Sequence, residues 1–337
     1  MARSSNGKSV SMKPEAFMIA VCAGFWLAAC SATGAGAADP SATGNAWAGL
    51  PEPLVPAVAP EGQVIPDVLR CLRDQDAAFV SAHRGGVEPG YPENAIETFA
   101  NTLAQGPMIL EVDIQRTADG IIIALHDDTL ERTTTGEGQV DAMAFADLVE
   151  VRLVDEAGQV TDFAIPTLAD VLDWARGRAF VQLDVKTGLP VEEVVAGIVE
   201  ANAISYAAVV VYTAEEAIRV ARADPRVAIS VEIQDQERLD ALLDAGIAPE
   251  RLMAWTGVHA APVPDTWDML HGVDIPAAFG ALWYIDNEVR ESGDASIYRD
   301  IADGGVVVIA TDIHWTAYDA LAERQDTLGA FRRCTGE

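Results

Sequence analysis

Short apolar runs alternate along the chain with segments whose apolar positions return every three or four residues. The runs at 78–82, 108–114, 121–125, 179–185, 208–212, 228–233, 252–255 and 306–310 predict buried strands. The amphipathic segments 95–103, 191–203, 214–223, 237–245 and 317–322 predict helices, and Pro166-Thr167 opens another over 165–174. Asn94 is placed to N-cap the helix at 95–103. Residues 260–302, with Trp267, Trp283 and Tyr284, follow neither period and read as loops or a broken helix. Strand–helix alternation implies a parallel sheet covered by helices. About 260 residues without a linker favour one α/β domain, a (β/α)8 TIM barrel, over an open doubly wound sheet. No internal repeat is visible. No Gly-x-Gly-x-x-Gly follows a strand and no Gly-Lys-Ser/Thr occurs in the domain, so nucleotide binding has no support.

The amino-terminal region breaks this pattern. An apolar run at 16–29 follows Arg3, Lys8 and Lys13 and has the length of a signal-peptide core. It ends in Leu27-Ala28-Ala29-Cys30, which resembles a bacterial lipoprotein signal with Cys30 as the lipidated residue. An ordinary secretory signal cut near Ala35-Gly36-Ala37 is the alternative. Residues 30–66 read as a tether, first rich in Ser, Ala, Thr and Gly, then stiffened by Pro51, Pro53, Pro56, Pro60 and Pro66. The folded domain is expected over 67–337, beginning near 65–69. Either signal implies export: a membrane-anchored lipoprotein facing the periplasm, or a soluble periplasmic or secreted protein.

Charge narrows the partners. The 337 residues carry 22 basic and 52 acidic side chains, a net charge of −30. Loss of residues 1–29 deepens this to −32 and leaves Lys186 as the single lysine. Nucleic acid and an anionic membrane face are disfavoured by repulsion, so a membrane is met only through the lipid anchor. Four cysteines are too few for a disulfide scaffold. Cys71 and Cys334 stand near the two ends of the domain, which a closed barrel brings together, and in an exported protein they are expected to pair. Closing so long a loop is credited with at most roughly 5 kcal/mol.

In a parallel α/β fold, chemistry gathers at the carboxyl ends of strands. His83 and Arg84 follow the run at 78–82, and His126 and Asp127 follow 121–125. Glu111 and Asp113 are two apart, as are Asp184 and Lys186, so each pair shares a strand face. Inward carboxylates repel one another unless a cation lies between them. Glu111, Asp113 and Asp184 offer the oxygen ligands that Mg²⁺ or Ca²⁺ prefers. With Arg84 and Lys186 beside two histidines, the set suits an anion and points to phosphoryl chemistry.

The same residues carry a resemblance. Ala82-His83-Arg84-Gly85-Gly86, Pro92-Glu93-Asn94, Glu111-Val112-Asp113, Ala124-Leu125-His126-Asp127 and Leu130-Glu131-Arg132-Thr133-Thr134-Thr135-Gly136 are similar to the glycerophosphodiester phosphodiesterase family. Ile165-Pro166-Thr167-Leu168 and Asp184-Val185-Lys186 extend the likeness to 186; beyond it only Trp255-Thr256 and Thr311-Asp312 agree. The resemblance implies a (β/α)8 barrel that uses one divalent cation, Mg²⁺ or Ca²⁺, with Mn²⁺ also possible. His83 and His126 would be the acid–base pair, Glu111, Asp113 and Asp184 the metal ligands, and Arg84 and Lys186 the phosphate-binding cations. The reaction implied is hydrolysis of a small glycerophosphodiester to glycerol 3-phosphate and an alcohol, by water directly or through a cyclic phosphate.

Two positions depart from the family pattern. Asp184 stands where Glu is usual, one methylene shorter, and Ala95 stands where Thr is usual, with Asn94 expected still to cap the helix. Asp127 reads equally as an aid to His126 or as solvated, Arg132 as part of a turn, and His259 and His271 as structural. His314 and Trp315 are candidates for the alcohol side. Two other readings stay open. One is a phospholipase-D-like enzyme on lysolipid or sphingolipid head groups, with the Trp267 to Tyr284 region as an apolar wall; the other is a non-enzymatic anchored binding protein.

Overall fold

The computed structural model describes residues 47–322 and 326–336. The expected signal peptide at 1–29, Cys30 and the first part of the tether lie outside the described residues. Within them the strands are β1 (Phe79–Ala82), β2 (Ile109–Arg116), β3 (Ile122–Ala124), β4 (Arg152–Val154), β5 (Val160–Ala164) and β6 (Phe180–Val185). They continue as β7 (Ala207–Val211), β8 (Ala228–Glu232), β9 (Leu252–Val258), β10 (Ala277–Gly280) and β11 (Val308–Thr311). β1, β2 and β6 to β11 pair in parallel in that order, and β11 pairs back onto β1. Helices cross outside between successive strands, giving the (β/α)8 barrel.

The strand sequences explain the closure. β7 reads Ala-Ala-Val-Val-Val and is buried throughout, as a strand covered on both faces must be. Outer helices start where threonine can bond their first amides. Thr213 and Glu216 form a capping box on Ala214–Ala223, and Thr167 and Asp170 do so on Leu168–Ala175. That second box places the helix start three residues after the predicted 165, because Thr167 must stay extended to act as cap.

Four expectations are corrected. β3 is no barrel stave: it folds back antiparallel on the end of β2, so the run after Asp113 makes a hairpin. β10 lies in the segment that showed no period, since Ala-Ala-Phe-Gly is too short and small to announce a strand. A Cβ on Gly280 would stand 2.6 Å from the Trp255 ring, so the small residue is required there. Asn94 does not cap Ile96–Leu103; Ala95 holds the cap position without a side-chain bond, and Asn94 is buried at φ 59° with its amide turned to Asp113. The proline-rich stretch is not free tether. Leu54 N–H donates to Leu103 O and Ala57 N–H to Arg178 O, while Val55, Ala57 and Val64 are buried, so the folded unit includes Trp47 onward.

The amino-terminal end of the barrel is closed by the first and last helices among the described residues. Helix Ile65–Asp74 and helix Thr327–Thr335 are joined by the expected Cys71–Cys334 disulfide. Phe331 is fully buried there, stacked on Phe79 at 5.0 Å and edge-on to Phe180 at 6.2 Å, the first residues of β1 and β6. At the opposite end a small separate core of Ile123, Leu125, Leu130, Val140, Leu148, Leu153 and Ile165 makes the excursion between β2 and β6 rigid. This satellite core holds His126 beside the carboxyl end of β2, where Leu125 N–H donates to Asp113 O.

Candidate active site

His83 and Arg84 leave β1 in a tight turn that needs left-handed backbone at Arg84 (φ 52°), Gly85 (φ 85°) and Gly86 (φ 91°). A Cβ on Gly85 would fall 2.1 Å from the Phe99 ring, and one on Gly86 2.4 Å from Thr102 Oγ1. The two glycines therefore let the turn lie flat on the helix Ile96–Leu103. The turn aims the Arg84 N–H at Glu111 Oε2, 2.7 Å away.

Pleating puts Glu111 and Asp113 on the inner face of β2, and Asp184 is the register partner of Asp113 on β6. One oxygen from each of the three carboxylates lies within 4.8 Å of the others. The shorter Asp184 still reaches this cluster. Asn94 clamps Asp113 twice, donating from Nδ2 to Oδ2 (2.8 Å) and accepting from the Asp113 N–H (2.9 Å). Lys186 Nζ stands 2.6 Å from Asp113 Oδ1 and 2.7 Å from Asp184 Oδ2, so its charge is spent on two of the three acids. The Tyr212 hydroxyl donates to Asp184 Oδ2 at 3.1 Å, and burial with nearby carboxylates raises its pKa and keeps it protonated. Burial and the Asp113 charge push the Glu111 carboxyl up to about 8.

The two imidazoles are each held by an aspartate. His83 Nδ1 is 2.7 Å from Asp312 Oδ1, and His126 Nδ1 is 2.6 Å from Asp127 Oδ1. In both rings Nε2 is left for other groups. Burial opposes charge on His83, but the Asp312 bond and the Glu111 and Asp312 charges outweigh it and raise its pKa. A connected network spans the space between the rings. Arg132 takes Asp127 and Glu93 together, Glu93 Oε2 also accepts from Arg84 NH1 at 2.8 Å, and Arg84 Nε lies 3.6 Å from Asp113 Oδ2. His83, Arg84, Glu111, Asp113, His126, Asp184 and Lys186 are thus gathered at one mouth of the barrel.

The structure adds residues that the sequence left undecided or passed over. Asp127 orients His126 and is not merely solvated, and Arg132 is a strut and not only turn material. Tyr212 was visible only as the end of the run 208–212, and Asp312 only through the Thr311-Asp312 likeness. His314 does not face the mouth: it is 1% exposed under Gly86, and burial pulls its pKa down to about 4. Trp267 is fully buried against Phe279 and cannot wall an acyl groove, whereas Trp283 and Tyr284 are exposed. His259 bonds the Thr256 carbonyl, in keeping with a structural role.

The glycerophosphoryl diester phosphodiesterase family matches residues 83–292. The chain belongs to that family. It is 35% identical over 116 residues to a glycerophosphodiester phosphodiesterase of Caldanaerobacter subterraneus, covering 33% of this chain and 46% of the relative. It is 32% identical over 125 residues to glycerophosphodiester phosphodiesterase 1 of Mus musculus, covering 35% and 37%. The matches span less than half the length of these curated relatives. A glycerophosphoryl diester phosphodiesterase crystal structure from Parabacteroides distasonis superposes with a TM-score of 0.72 at 30% identity, over 80% of this chain and 94% of that one. The matched range includes the histidines after β1 and β3 and the acids of β2 and β6 that lie at the mouth just described.

Proposed function

We propose that the protein hydrolyses glycerophosphodiesters to glycerol 3-phosphate and an alcohol with the aid of a divalent cation. The observation carrying this reading is the convergence of three carboxylates beside two aspartate-held imidazoles.

The residues fit such a cation. Glu111 Oε1 and Asp184 Oδ1 are buried without a hydrogen-bond donor, a costly state for an acceptor-only oxygen that ligation removes. Glu111, Asp113 and Asp184 would hold the ion, which supplies positive charge to the phosphoryl oxygens as negative charge develops there. The remaining work falls to the chain's own groups. Arg84, which lines the mouth, and Lys186, each already paired with carboxylates, are the cations placed to meet the phosphodiester. One imidazole takes the proton of the attacking water, or of a substrate hydroxyl whose cyclic phosphate water then opens, as the new P–O bond forms; the other gives a proton to the departing alkoxide as the old P–O bond breaks. The raised pKa of His83 suits it to the donor role. Asp312 and Asp127 fix which ring nitrogen is turned to the reaction. The Cys71–Cys334 bond supports placing this chemistry in an oxidising, exported compartment.

Replacing His83 or His126 by Ala is expected to lower glycerol 3-phosphate release from glycerophosphodiesters by roughly 10²–10⁴-fold each, with the circular dichroism spectrum unchanged. Turnover near wild type in either folded variant would remove that histidine from the mechanism.

A further inference from the structure

The proposed reaction fixes one product and leaves the alcohol open. A cavity of about 380 Å³ adjoins His83, Arg84 and Asp312. Most charges around it are already committed. Glu93 holds Arg84 and Arg132, and Asp312 holds His83. Two are not. Glu156, in the turn between β4 and β5, is exposed and has no hydrogen bond or ion pair among the described residues. Arg290, on helix Ile285–Ser292, has a single side-chain bond, 3.3 Å to Asn287 Oδ1; its charge acts on Asp312 from a distance, and no carboxylate of the described residues forms an ion pair with it. The third feature is Trp283, which is 61% exposed at the cavity and held at φ 66°. A bulky residue in that backbone region stores strain of about 1–3 kcal/mol, and an indole in water gains nothing from burial. Both costs make sense where the ring meets a ligand.

We infer that this cavity receives the alcohol half of the diester and is built for an alcohol carrying both an ammonium and a carboxylate, of the serine type. Glu156 and the Trp283 face receive the ammonium, and Arg290 receives the carboxylate. A head group with a cation alone leaves Arg290 unpaired and repelled. An uncharged glycerol leaves both charges unused, and an anionic head group meets Glu156. Only a zwitterion answers all three features.

This assignment rests on the hydrolytic reading above, and the test separates the two. kcat/KM is measured with sn-glycero-3-phosphoserine, sn-glycero-3-phosphoethanolamine and sn-glycero-3-phosphoglycerol for the cation-loaded wild type, Arg290→Gln, Glu156→Gln and Trp283→Ala. The wild type should favour the serine diester. Arg290→Gln should lower the serine-to-ethanolamine ratio about tenfold, as expected for a lost charged hydrogen bond. Glu156→Gln and Trp283→Ala should lower the ethanolamine-to-glycerol ratio. Each ratio is taken within one preparation, so a partly unfolded variant does not distort it. Ratios that stay constant across all variants, with the diesters still turned over, overturn the head-group assignment. No glycerol 3-phosphate from any of the three diesters by the wild type overturns the hydrolytic reading instead.

Discussion

His83 and His314 lie against the same Gly85-Gly86 turn, and their surroundings shift their pKa values in opposite directions. Asp312 stabilises the charged form of His83 against burial, so the His83 contribution to stability is complete below the ordinary histidine pKa of about 6.5, while Asp312 stays ionised, and fades as pH rises through the higher folded value. His314 has no hydrogen-bond partner at either nitrogen, and the nearest acid, Glu88, is 4.0 Å away. With its pKa depressed to about 4, the folded state binds fewer protons than the unfolded chain between that value and 6.5. Stability therefore falls as pH drops through this window, by about 3 kcal/mol from this group. Urea unfolding at about pH 7 and about pH 4.5 checks it: His314→Phe should lose some 2–3 kcal/mol less than wild type between the two. Equal losses would mean that His314 is not the neutral buried group described.

At the scale of elements, one buried carboxylate ties the last third of the barrel to the site. Asp286, at the start of helix Ile285–Ser292, accepts at Oδ1 from Tyr298 on helix Ser296–Asp303 (2.7 Å) and from Thr311 at the end of β11 (2.8 Å). Its Oδ2 accepts from the Asp312 N–H at 2.7 Å, one residue's backbone away from the carboxylate that holds His83. Burial raises the Asp286 pKa, yet the geometry of three donors depends on its oxygens. Asp286→Ala strands the Tyr298, Thr311 and Asp312 donors, so urea unfolding should show a loss of about 3–5 kcal/mol. In the folded fraction, glycerol 3-phosphate release should also fall, because the Asp312 loop is no longer fixed. A loss below about 1 kcal/mol would mean that the three donors find other partners. None of this was legible in the sequence. Asp286 lies in the segment without period, and its partners are distant along the chain. Where strands are long and apolar, as in β6 and β7, the pattern alone placed them. It failed at β10, whose four small residues announce nothing, and at β3, where an apolar run gave a strand but not its direction. Asn94 looked like a helix cap because capping is local, whereas its actual partner, Asp113, comes from another strand.

For the whole molecule, the barrel is fastened at one end and chemically active at the other. The disulfide joins the helices that flank the amino-terminal opening, while every residue placed in the mechanism lies at the carboxyl ends of strands. The residues proposed for the mechanism were legible in two ways: His83, His126 and Lys186 follow apolar runs, while Glu111, Asp113 and Asp184 interrupt them at two-residue spacing. The orienting contacts of Asp312, Arg132 and Tyr212 were not legible, since orientation is a property of the closed barrel. The central claim is that this mouth works as a cation-assisted phosphodiesterase centre. It is tested most directly by glycerol 3-phosphate release from glycerophosphodiesters before chelation, after chelation, and after Mg²⁺, Ca²⁺ or Mn²⁺ is restored. The account predicts activity that chelation removes and at least one of these ions returns; release that continues unchanged in excess chelator would contradict it.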